Sequence, residues 1–553
     1  MKKTLKITSL LLAVFLSFGV CACGGNNASK NDPKVITVKT FKAGYGTAWL
    51  YKAKEKFEEL YKDEGYKVNI LKPDNSLQGS AALADMRNAK KLGVDVYFVQ
   101  SVSIANALDK EYGECVADIS DVYASRAIGF DGAEENVTIA NKLSDTYDSA
   151  VKLGNNYYSM LWASSPCGLI ANTKVLAKYG LELPKTTDEL FACFKAIYEG
   201  ANGQGGSSST GVYPFAWAGQ NAYGYALYSL YANLGQMLGQ DETAKFLSLQ
   251  QGATVTENDV KNGKSMYNSD DVFAPIEIMM KEFNTATSVP GSVNAIHTTG
   301  AQYNLLSGKC AFIADGEFFF SETKNDYGDR INDVAFINVP VASDLGVKLQ
   351  LDGDGNDRAK CDEILSYVIG LVDQNKTAEE IIFAVSDKGY EISVEQIEQI
   401  AEARGCFYER KDHNAYISKY SEKADIAKLF LRMVASDDFG DLFNETAYAY
   451  APYSRRNDIE SDYAFVNDCF KLVKRSNAWG ISRLDVTGLR QAANVGLYNP
   501  YGEDIVRKLC DSNVLYSTND KSSKSDFVKV REEIRKNISD HWNEKMTNAG
   551  YNV

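Results

Sequence analysis

Histidine is almost missing from this sequence: His297, His413 and His541 are the only three in 553 residues, and they lie far apart. No H-E-x-x-H or H-x-H spacing can be built from them, so histidine-based metal sites and acyl-transfer triads lack material. Each reads as an ordinary surface or helix residue. A G-x-S-x-G elbow is missing too, because Ser207-Ser208-Ser209 lacks the second glycine. Gly263-Lys264-Ser265 is half of a phosphate loop, but Asn258 stands where its first glycine belongs. The ten cysteines are scattered and include no CxxC pair, so no disulfide framework is evident; they read as buried small hydrophobes, with room for one or two bridges. Positive charge is in deficit, with 59 Lys+Arg against 73 Asp+Glu, formally −14. Such a surface suits neither nucleic acid nor anionic lipid.

What is present begins at the N-terminus. Lys2, Lys3 and Lys6 precede a mostly apolar stretch, Ile7 to Val20, too short to span a bilayer comfortably but suited to a secretory signal. Val20-Cys21-Ala22-Cys23-Gly24-Gly25 resembles the lipobox of bacterial lipoproteins, with Cys23 as the acylated residue. Residues 1–22 are then a signal peptide and 23–33 a flexible tether of small polar residues. Removing Met1 to Ala22 takes three lysines and no acids, so the mature charge is −17. No later segment holds eighteen apolar residues in a row. The expected location is extracytoplasmic, lipid-anchored to the outer face of the cell membrane.

The body alternates short apolar strands with amphipathic helices. Val35 to Val38, Val68 to Leu71 and Val94 to Val99 read as strands; Trp49, Leu50, Ala53, Phe57, Leu60 and Tyr61 recur at helical spacing between the first two. That order implies parallel pairing with right-handed crossovers, and ligands beyond the carboxyl ends of the strands. Further strands are expected at Tyr157–Trp162, Gly168–Asn172, Val212–Trp217, Ala311–Ala314 and Val334–Ile337, with Asn202–Gly211 as a Gly/Ser loop. A helical stretch is expected around Ile382 to Arg404, an amphipathic helix at Asp425–Ala435, and a closing helix with Phe527, Val530, Ile534, Ile538 and Trp542 on one stripe.

Strand ends collect the groups that a saccharide requires, flat rings plus hydrogen-bonding side chains. They are Tyr45; Gln100 and Ser101; Trp162, Ser164 and Ser165; Trp217, Gln220, Asn221 and Tyr223; and Asp315, Glu317 and Phe318. A glycosidase would need two opposed carboxylates, whereas Asp315 and Glu317 belong to one element, not to opposite walls. Asp352, Asp354, Asn356 and Glu363 have the offsets of a calcium loop. Asp357 replaces its glycine, however, and Lys360 brings positive charge, so the stretch reads as a solvated acidic loop leading into a helix near Asp362. No catalytic residue, metal or cofactor is assigned.

Five segments, in order, resemble the family 1 extracellular solute-binding proteins, the group that includes maltose-binding protein. They are Gly93 to Phe98, Tyr158–Trp162 with Gly168–Lys174, Leu183–Leu190 ("P-x-T-x-x-E-L"), Ser307–Gly316, and Ala424–Phe443. The resemblance covers about Lys34 to Arg456. It implies an α/β fold of two lobes, each a mainly parallel sheet flanked by helices, joined by two or three crossing strands with the ligand cleft between. By the same resemblance, residues 34–161 and 311–413 form one lobe, with a helical insertion at about 345–405, and 162–310 and 414–553 the other. It also implies a monomer that delivers its solute to the permease of an ABC importer. Phe318 stands where maltose-type members carry tryptophan, and Ser165 where they carry glutamate. The exact sugar therefore does not carry over, and a peptide or polyamine is the rival solute.

Overall fold

The computed structural model describes residues 32–111, 113–220, 223–248, 269–456 and 460–482, together with 540, 543 and 544. Cys23, Asn221, the half phosphate loop, His541 and the C-terminal apolar stripe lie outside the described residues, as does the side chain of Tyr223. One mixed sheet of nine strands runs through the molecule. Its first three strands are β1 (Val35–Thr40), β2 (Lys67–Ile70) and β3 (Val96–Gln100), paired in parallel in the order β2-β1-β3. Two small hairpins follow, β4 (Arg126–Ile128) with β5 (Glu134–Thr138) and β6 (Lys152–Leu153) with β7 (Asn156–Tyr157). Trp49, Leu50, Ala53 and Phe57 are the buried face of helix Ala48–Leu60, as their spacing predicts.

The second half-sheet uses β9 (Tyr213–Ala216), β10 (Cys310–Gly316) and β11 (Val334–Ile337). β9 and β10 are parallel, while β10 and β11 both run antiparallel to β8 (Met160–Asn172). β8 is thirteen residues long and buried throughout. The expectation of two separate strands, Tyr157–Trp162 and Gly168–Asn172, is corrected: one strand passes straight through the residues between them, Pro166 included. Beside it runs β12 (Cys406–Ile417), whose charged sequence offered no strand pattern at all. β12 ends against β3 and begins against β13 (Trp479–Ile481), so β8 and β12 both cross between the two halves. Ser207–Thr210 forms a single helical turn inside the expected Gly/Ser loop.

The two halves are the two lobes, but the second half of the chain is distributed differently from the expectation. β10 and β11 pair with the second half of β8, so residues 311–405 belong to the β9 side rather than to the β1 side. Helices Ala424–Val434 and Asp437–Ala447 instead pack on helix Ala48–Leu60, on the β1 side. Helix Ala464–Val473 then packs on β11, so the segment between these helices crosses back. The reason is β12, whose crossing carries the chain to the β1 side before helices Ala424–Val434 and Asp437–Ala447 begin. The insertion is helical as expected, with Arg358–Asp373, Ala378–Asp387 and Val394–Gly405 around a small core of their own. Capping boxes at Thr377/Glu380 and Ser393/Gln396 start its last two helices. The seven cysteines among the described residues are all buried and unbridged.

Candidate functional site

Between the lobes lies a cavity of about 340 Å³. The β1 side contributes Ser101 to Ile104, just past the carboxyl end of β3, and the other side Gly224, Tyr225, Leu227 and Tyr228. Crossing strand β12 supplies Tyr408, Arg410, Lys411, Asp412 and Asn414. Three of these residues are aromatic. Tyr228 and Tyr408 stack with ring centroids 4.9 Å apart at 26°, and Tyr225 adjoins Tyr228 at 5.3 Å.

The polar wall owes its form to a local irregularity. Arg410 pairs with Ser165 of β8 and His413 with Ala163, so three steps along β12 match two along β8. The register recovers between His413 and Asn414. Such a bulge breaks the two-residue alternation of a strand and re-aims side chains. Here Arg410, Lys411 and Asp412 all reach the cavity. Arg410 Nη2 donates to Asp412 Oδ2 at 2.6 Å, and Ser101 Oγ donates to the same oxygen at 2.7 Å. Ser101 holds a left-handed φ of 56°, which lets its backbone N–H also reach the Asp412 carbonyl at 2.7 Å. A non-glycine residue in that region is a strained position of the kind found at binding sites. Burial opposes ionisation of Asp412, but the Arg410 guanidinium and the adjoining His413 together outweigh it and hold the carboxyl well below the usual range.

Behind this wall sits a second polar layer. Glu409 accepts from Ser164 Oγ at 2.5 Å and from the Tyr147 hydroxyl, and lies 3.3 Å from Lys411 Nζ. On the β10 side, Gln302 Nε2 donates to Asp315 at 3.1 Å and to Glu322 at 2.8 Å. Burial, with Glu322 adding, pushes Asp315 up to about 8; burial likewise raises Glu317 and Glu322. Two of these carboxylates reach segments outside the β10 side. Glu322 accepts from Gly44 N–H at 3.2 Å and Glu317 from Tyr450 N–H at 3.1 Å.

Of the residues expected from the sequence, Ser101 lines the cavity. Gln100 is buried beside it, 3.4 Å from His413 Nε2, and Phe318 lies under Arg410 at 5.7 Å. Tyr45, Ser164, Ser165, Asp315 and Glu317 are buried behind the wall, and Gln220 is exposed elsewhere. The expectation that Trp162 and Trp217 offer open faces is corrected. Trp162 is 1 % exposed, stacked on Trp49 at 4.8 Å with His413 against its edge; Trp217 is 0 % exposed, edge-on to Phe283. Trp162 lies within β8 and Trp217 directly after β9, and both rings complete aromatic cores. His413 is likewise buried, not on the surface. Tyr228 and Tyr408 went unnoticed because Tyr228 sits in a wholly buried helix and Tyr408 in a strand without alternation. In the acidic loop, the Asp352 carboxylate accepts from the N–H groups of Asp354, Gly355 and Asp357, and Asp357 caps helix Arg358–Asp373. Its acids serve the turn and the helix start.

A cavity between two lobes, walled by crossing strands, is the arrangement anticipated from the five segments. The family model described as bacterial extracellular solute-binding protein matches residues 42–380, more than half of the chain. The chain belongs to this family. It is therefore a binding protein of the extracellular space and not an enzyme. Solved family-like structures share its fold. The GacH receptor of Streptomyces glaucescens, described unliganded and with acarbose, covers 92 % of this chain and 98 % of its own at 13 % identity, TM-score 0.53. Maltose-bound MalE3 of T. maritima covers 91 % and 99 % at 15 % identity, TM-score 0.54. A probable secreted solute-binding lipoprotein of Streptomyces coelicolor covers 92 % and 98 % at 11 % identity, TM-score 0.55. No curated protein sequence matches this solute-binding protein.

Proposed function

We propose that this solute-binding protein captures a sugar or oligosaccharide in the interlobe cavity and delivers it to the permease of an ABC importer, while anchored to the outer face of the cell membrane through lipid on Cys23. The observation that carries the reading is that the stacked pair Tyr228–Tyr408 lines one small cavity together with the polar residues Arg410, Lys411, Asp412 and Asn414 of β12. Ring faces bury the C–H faces of a sugar, and fixed polar groups orient its hydroxyls. The neighbours that bind acarbose and maltose are consistent with this solute class.

Delivery requires that bound and free forms differ, which lobe closure supplies. Titration calorimetry against saccharide, peptide and polyamine panels tests the solute, with small-angle scattering of the same samples testing closure. Binding of peptides or polyamines with no saccharide response would overturn the assignment. For the anchor, Cys23→Ala protein is expected to be shed or to stall unprocessed; unchanged membrane retention would refute lipidation.

A further inference from the structure

A group of acids sits where the two lobes touch. Gly44 and Tyr45 follow β1, and against them lie Glu317, Phe318 and Glu322, which follow β10. The Gly44 N–H donates to Glu322 Oε1 at 3.2 Å, and a Cβ on Gly44 would stand 3.7 Å from that of Phe318. Tyr45 faces Glu317.

Inside this contact, two carboxyl groups converge on one nitrogen. Gln302 Nε2 donates to Asp315 Oδ2 at 3.1 Å and to Glu322 Oε2 at 2.8 Å. The cation that faces both acids is Arg410, which is itself ion-paired with Asp412 at 2.6 Å. The other titratable neighbours bring no positive charge: Tyr225 faces both acids, Cys167 faces Asp315, and Glu409 faces Glu317. Two carboxylates drawn to one donor in a buried contact repel each other, so the pair is more stable holding a proton than doubly ionised. Burial, with Glu322 adding, accordingly raises Asp315 to about 8, and burial raises Glu322 as well. Parting the lobes withdraws Gly44 from Glu322 and lets water reach the pair, which then returns toward ordinary carboxyl behaviour and gives the proton to solvent.

We infer that lobe closure takes up a proton at the Asp315–Glu322 pair, so that the closed, solute-holding form is favoured as pH falls. This rests on the two-lobe capture reading above and adds its regulation. Because both acids are raised in the closed form, their preference for it is complete below the ordinary carboxyl range and is lost as pH rises toward 8.

The first arm of the test needs no solute. Small-angle scattering of the intact protein should show compaction as pH falls from 8 to 5, the open-to-closed ratio changing by roughly tenfold for each unit by which closure shifts the pair. The double variant Asp315→Asn/Glu322→Gln should remove that pH dependence, and Glu322→Gln alone, at the half-buried member, should reduce it; melting curves confirm that both fold. The second arm is calorimetry with maltose, cellobiose and raffinose in buffers of different ionisation enthalpy, where binding should carry proton uptake in the wild type and not in the double variant. A pH-independent envelope, or the same pH dependence in the double variant, overturns the proton linkage. Saccharide binding without proton uptake also overturns it and leaves the capture reading standing. Compaction that follows pH and needs the two acids, with no saccharide response, leaves the linkage standing and overturns the saccharide.

Discussion

Strands β8 and β12 lie side by side, cross between the same two lobes and are almost completely buried, yet their compositions are opposite. β8 is apolar and small along Met160 to Asn172; β12 carries five consecutive ionisable residues, Glu409 to His413. Burying that run costs free energy unless every charge is paired. The structure pairs them: Arg410 with Asp412, Lys411 with Glu409. β8 is thus a structural crossing, and β12 spends stability to bring charge to the cavity. Two neighbours in one sheet can divide stability and recognition between them.

That division can be broken in several ways. The largest effect is expected at β8. Trp162→Ala should cost about 3–5 kcal/mol of stability, because its ring is enclosed by Trp49, Phe98, His413 and Phe443. Urea unfolding of the solute-free protein measures it, and undiminished stability would return Trp162 to the cavity wall. On β12, Lys411→Met strands Glu409 in the interior and should cost about 3 kcal/mol. The double variant Glu409→Gln/Lys411→Met should recover most of that loss; if it does not, the pair is not what holds the strand.

Next comes Tyr228→Leu, which keeps apolar volume but removes the stacked ring. Affinity for the solute should fall by about 1–2 kcal/mol, roughly tenfold or somewhat more, with the melting point little changed. A large drop in melting point with affinity intact would make Tyr228 a packing residue. The smallest effect concerns a buried carboxyl, that of Glu282. Glu282 accepts from Ser229 Oγ at 2.8 Å, and burial pushes it up to about 8. Its folded state holds a proton that the unfolded chain releases near 4.5, so this contribution is complete below that value and is lost as pH rises toward 8. Glu282→Gln should flatten that decline and gain about 1–2 kcal/mol at pH 8. Melts at pH 5 and 8 check it; an unchanged slope would mean that Glu282 is ionised in the fold.

The contrast between the strands also explains what could be read early. Helix Ala48–Leu60, strands β1 to β3 and the capped insertion helices announce themselves through local pattern, since each is a face or a cap written within a dozen residues. The family order was legible for the same reason, as short segments in sequence. β12 was not, because a buried charged strand has no hydrophobic alternation and is stable only through partners far away in the chain. Trp162 and Trp217 were misplaced because burial of a ring within or just after a strand depends on which sheet face meets which helix.

By itself, the sequence determined the class of the protein: alternating strands and helices, and five ordered segments of a solute-binding family. Those features rest on local propensity and periodicity, which need no partner to be visible. Only the tertiary structure decided which residues meet at the cavity, since Ser101, Tyr228 and Asp412 are scattered over more than three hundred positions. Their convergence depends on the crossing of β12 and on a one-residue bulge whose register is set by β8. A register is a relation between two strands, and neither strand's sequence alone contains it.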